Sequence, residues 1–111
     1  MNEQIKTHME KYPKEVSDLF CKLRQIILKS KACDLNETLW AKIPSYYLGD
    51  SFVRLIPFKD HINIEAKEII KYKDELSGYK ITPKGMLQIY LGQDIPTGVL
   101  KMIFCETLTG L

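Results

Sequence analysis

The chain has 111 residues, 45% hydrophobic and 27% charged, enough for one hydrophobic core and too few for two. Its 16 Lys and Arg against 14 Asp and Glu leave a net charge of +2. That excludes a disordered polyelectrolyte and the dense basic footprint of a nucleic-acid or membrane-surface binder.

The N-terminal dozen residues are polar, and no apolar run approaches the ~20 residues that cross a bilayer. Neither export nor membrane insertion is expected. Ile5, Met9 and Tyr12 lie at helical spacing, which predicts a short helix over 3–12. A longer helix is expected from Pro13 to about Ala32. Its stripe is Val16, Leu19, Phe20, Leu23, Ile26 and Ile27, and Pro13 suits a first turn. After Asn36 the period changes to two. Leu39, Ala41 and Ile43 alternate with Trp40 and Lys42, which reads as one strand, bent or at an edge because of Pro44.

Gly49-Asp50 marks a hairpin turn, followed by a strand over Phe52–Phe58. Lys59-Asp60 marks a second turn, and His61–Glu65 a third strand. Residues 66 to 77 return to helical spacing and stop at Gly78. Thr82-Pro83-Lys84-Gly85 reads as a tight exposed loop that leaves Lys84 at the end of the sheet. Met86–Leu91 reads as a fourth strand, and a last helix runs from Pro96 to about Leu108 on Leu100, Ile103, Phe104, Thr107 and Leu108. The whole is a single α+β domain, 1–111. It carries an antiparallel meander of about four to five strands with helices mainly on one face.

No signature of nucleotide binding, serine hydrolysis or zinc proteolysis is present, and no cofactor is implied. Cys21, Cys33 and Cys105 lack CxxC spacing, which points to reduced thiols in a cytoplasmic protein. Cys21 and Cys105 border apolar helix stripes, where small core roles are expected. His8 falls on the polar flank of its helix and should be solvated.

Strand parity carries the functional expectation. If Leu39, Ala41, Ile43, Ile62, Ile64, Leu87, Ile89 and Leu91 face the helices, then Trp40, Lys42, His61, Asn63, Gln88 and Tyr90 share the opposite face, and Arg54 joins them if Val53 and Leu55 point to the core. Aromatic area beside cationic donors is the make-up of a binding surface. Trp40 and Tyr90 would pack on a ligand or protein partner, and Arg54, Lys42 and Lys84 would hold an anionic group. Phe52, Ile56 and Phe58 complicate this scheme, because their strand then carries apolar residues on both faces. A homodimer through the sheet face or edge would cover them. A second reading uses Asp60, Glu65 and Glu68, oxygen donors suited to a hard cation. Lysines interleave with them, as on an ordinary solvated face.

Three strings add a resemblance. Glu37-Thr38-Leu39-Trp40 with Pro44-Ser45-Tyr46, then Pro57-Phe58-Lys59-Asp60-His61-Ile62, then Glu75-Leu76-Ser77-Gly78-Tyr79-Lys80 with Lys84-Gly85-Met86-Leu87-Gln88-Ile89, occur in that order. The pattern resembles the YdhG-like family, a domain of unknown function, over nearly the whole chain. The resemblance implies a compact α+β fold. It also implies, through one family member regarded as a frataxin-like iron chaperone, an alternative role in iron handling.

Overall fold

The computed structural model describes residues 1–30 and 34–110. The expected helix end near Ala32, and Cys33, lie outside the described residues. Helices α1 (Glu3–Met9) and α2 (Lys14–Ser30) come first, followed by strands β1 (Asn36–Trp40), β2 (Ile43–Leu48), β3 (Ser51–Pro57) and β4 (His61–Ala66). A 3₁₀ segment (Lys67–Leu76), β5 (Lys80–Ile81), β6 (Leu87–Tyr90) and helix α3 (Thr97–Thr109) complete the chain. The six strands form one fully antiparallel sheet in the order β1-β2-β3-β4-β6-β5.

The helices form where apolar spacing and end chemistry coincide. Asn2 caps α1 by accepting from the backbone N–H groups of Gln4 and Ile5. Tyr12 falls outside α1, which ends three residues earlier, at Met9. All six stripe residues of α2 are buried, as are the five of α3. Gly110, in the left-handed region at φ 77°, ends α3 with its N–H on the Glu106 carbonyl. Residues 67–76 follow the expected helical stripe but wind as 3₁₀, with a kink at Tyr72. Tyr72 is held there by its hydroxyl on the Glu106 carboxylate of α3, and Lys71 Nζ lies 2.5 Å from the same group.

Pairing register decides the two faces. Tyr46, Val53 and Ala66 stand in one cross-strand row, and Leu55, Ile64 and Leu87 in another. All of these are buried beneath the helices. The opposite face carries Ser45, Arg54 and Glu65 in one row, and Ile56, Asn63, Gln88 and Lys80 in the next. The helices pack on the first face, which leaves the second open.

The expected single strand over 39–43 is instead a hairpin. Trp40 pairs with Ile43, and Ala41 and Lys42 form the two-residue loop with φ of 49° and 65°. Positive φ at both positions gives the turn a twist that matches the strands. Ala and Lys tolerate it poorly, so the local sequence carries no signal for it.

Two cysteine and histidine expectations are corrected. Cys21 is exposed and Cys105 only partly covered, because each sits at the margin of its helix stripe. His8 is half-buried beside Tyr12, and its buried Nε2 has no partner among the described residues. Burial first, then the nearby charges of Lys11 and Lys42, hold its imidazole below the ordinary value.

Candidate functional site

The open face is organised around Arg54. Its guanidinium carbon lies 3.8 Å from the Phe52 ring centre and 4.2 Å from that of Trp40. These are stacking distances for a cation on aromatic faces. Nη2 donates to the Tyr47 hydroxyl at 2.9 Å, and Nη1 lies 3.4 Å from Glu65 Oε1. Arg54 is thus only 12% exposed although no helix among the described residues packs on this face, and among those residues its buried Nε has no partner. Ser45, the cross-strand neighbour of Arg54, is fully buried, and its hydroxyl donates to the Ile43 carbonyl.

A second cluster occupies the other end of the face. Phe58, His61 and Tyr90 stack in series, each neighbouring pair with ring centres 4.5 Å apart. The register explains it: Phe58 and His61 flank the tight turn at Lys59-Asp60, and His61 pairs with Tyr90 across the sheet. Asp60 Oδ1 sits 2.7 Å from His61 Nδ1, which orients the ring. Lys80 Nζ stands 6.0 Å from the Tyr90 ring centre. Between the clusters lies Asn63, buried, its Oδ1 without a partner among the described residues.

Trp40, Arg54, His61, Gln88 and Tyr90 therefore share one face, as expected from parity. Trp40 is 50% exposed, with Arg54 packed on its ring. Phe52, Ile56 and Phe58 belong to this face too, so β3 is apolar on both sides, and Phe52 and Phe58 are taken up in the Arg54 and His61 stacks. Two expected members stand elsewhere. Lys42 leaves the face because the two-residue turn removes it from the alternation. It lines a hollow of about 620 Å³ with Glu3, Thr7, His8 and Leu39 on the α1 side. Lys84 stands at the end of the sheet as expected, in the loop closed by the Gly85 N–H on the Thr82 carbonyl at 2.8 Å. It adjoins Glu65 and Phe52 rather than Arg54 and Lys42.

The acidic trio does not converge. Asp60 precedes β4 and Glu65 nears its far end, about 17 Å along the strand at ~3.4 Å per residue. Glu65 is engaged by Arg54, and Asp60 by His61. Glu68 starts the 3₁₀ segment with its N–H on the Thr107 hydroxyl. Among the described residues no group of three or more His, Cys, Asp or Glu comes together in a metal-binding arrangement.

Sequence reasoning passed over the most engaged ion pair. Arg24 Nε lies 2.6 Å from Glu37 Oε2, and Nη2 donates to Oε1 at 3.2 Å. The Asn2 backbone N–H adds a third bond to Oε1 at 2.9 Å. Burial alone would push the Glu37 carboxyl up, but these bonds outweigh it and hold it below the usual range. The pair ties α2 and the N-terminus to edge strand β1. Burial also pushes the adjacent Tyr46 hydroxyl well up. Among the described residues that hydroxyl has no well-aligned hydrogen-bond partner, although Glu37 and Arg24 both act on it.

No family model, curated protein or solved structure matches the chain. No helix among the described residues is long and apolar enough to cross a membrane.

Proposed function

We propose that the protein is a small non-catalytic binding module that docks another protein through the open face of its sheet, in the cytoplasm. The observation that carries this reading is Trp40, half exposed, with its ring stacked on Arg54 on a face that no helix covers. Trp, Tyr and Arg are the residues that dominate protein interfaces, and here all three are anchored in place. Ordering them beforehand reduces the entropy lost on binding.

The shape favours a broad partner over a small molecule. Six strands spaced ~4.8 Å apart, averaging about five residues, present on the order of 500 Å² in projection, which with the side chains standing above it approaches the ~800 Å² that one side of a standard interface buries. His61 is flanked on both ring faces and bonded to Asp60, an arrangement suited to a rigid contact. The free thiols of Cys21 and Cys105 support the cytoplasmic placement.

Photocrosslinking tests this reading. A benzophenone amino acid is placed at Trp40, at Gln88, and as a control at Met102, which is 50% exposed on α3. In native extract, Trp40 and Gln88 should yield the same discrete adduct, and Met102 should not. An adduct of two chains identifies a homodimer, and any other mass a distinct partner. Adducts no stronger than those at Met102 would refute the proposal.

A further inference from the structure

A cleft of about 380 Å³ opens where the β2–β3 turn, the end of β4, the 3₁₀ segment and the Thr82–Gly85 loop meet. Phe52, Ala66 and Ile70 form its apolar surface, and Ser51 and Thr107 add hydroxyls. Ile70 is 59% exposed, an unusual position for a large aliphatic side chain on a charged segment. Gly85 closes the cleft at φ +89°, a conformation that glycine adopts without strain.

The charges around the cleft are unevenly engaged. Of the two carboxylates that line it, Glu65 is paired with Arg54 at 3.4 Å, and Asp50 stands exposed on its turn at the rim. Lys67 and Lys84 both line the cleft, and neither ammonium has an ion-pair partner among the described residues. Apolar walls of this volume with a few convergent polar groups are the usual form of a small-ligand site. At ~30 Å³ per heavy atom the space holds about a dozen atoms.

We propose that this cleft binds a small amphiphilic anion, an apolar body of about that size bearing one carboxylate or phosphate. The body lies against Phe52 and Ile70, and the head group lies between Lys67 and Lys84. The site borders the docking face, with Phe52 and Glu65 belonging to both, but the proposal does not rest on that reading.

The test is an NMR titration of the intact protein with octanoate, with octanol as the matched neutral probe. Octanoate should shift the backbone amides of Phe52, Ala66, Lys67 and Gly85 saturably, and octanol should bind at least tenfold more weakly. Lys67→Gln and Lys84→Gln should each weaken octanoate about threefold, the size expected of exposed ion pairs, with less effect at high salt. Equal binding of octanol and octanoate, shifts scattered away from the cleft, or no saturable shift would overturn the proposal. If a variant fails to fold, the octanoate–octanol comparison on the native chain still decides.

Discussion

Removing the Arg54 side chain tests whether the open face is a built surface or a loose solvated one. Arg54→Ala deletes a hydrogen bond from a charged donor to Tyr47, worth ~1.5 kcal/mol. It also deletes the stacks on Phe52 and Trp40, about 0.5–1 kcal/mol each. The Glu65 pair adds about 0.5 kcal/mol, discounted because Glu65 is 35% exposed. Against these stands relief of the buried, unpaired Nε, ~1 kcal/mol at the low end of such costs. The net loss is about 2–3 kcal/mol. At ~2.1 cal/mol/K per residue, a chain of this length unfolds with an entropy of about 0.23 kcal/mol/K, so the midpoint should fall by about 9–13 °C. Arg54→Lys should recover less than half, because an ammonium cannot stack on both rings while reaching Tyr47 and Glu65. Trp40 is the sole tryptophan, so its emission reports the same site: acrylamide should quench it more readily once the guanidinium is gone. A midpoint within about 2 °C of the parent, with unchanged quenching, would refute the idea that Arg54 organises this face.

Acid should destabilise the protein in two windows. His8 has a folded value below its unfolded one, so its contribution is present above about 6.5 and is lost as pH falls below that. Glu37 is also depressed; its contribution is present above the ordinary carboxylate range and is lost as pH falls through the folded value. Denaturation midpoints measured against pH should therefore show Glu37→Gln less stable at neutral pH and flatter only in the lower window. Curves parallel to the parent throughout would disprove the assignment. The Ala41-Lys42 turn should respond to ordinary turn chemistry. Ala41→Asn with Lys42→Gly should raise stability by about 1–2 kcal/mol, read as a higher melting temperature, and an unchanged or lower one would contradict the positive-φ geometry.

The α+β class, the burial of α2 and α3, and the split of strand residues between two faces were all legible in the sequence. Each depends on a short-range period, 3.6 or 2, that side-chain chemistry records directly: Ile62, Ile64, Leu87 and Ile89 alternate with His61, Asn63, Gln88 and Tyr90. Parity alone therefore put Trp40, Arg54, His61 and Tyr90 together. It failed at Ala41-Lys42, where a turn built without Gly or Asn continues an apparent alternation, and so it misplaced Lys42 and put Ile43, the cross-strand partner of Trp40, on the helix side. Leu91, past the end of β6, is exposed instead of covered. It also passed over the two-residue β5, too short to show a period. Partner choice was beyond local pattern altogether. Arg54 draws Trp40, Tyr47, Phe52 and Glu65 from four strands, and Arg24 meets Glu37 across a connection of 13 positions. Which cation meets which ring or carboxylate depends on strand order and register. Those are set by how the whole chain closes its core, so only the tertiary structure decided that Arg54 is a clamped platform and that Lys67 and Lys84 face one cleft.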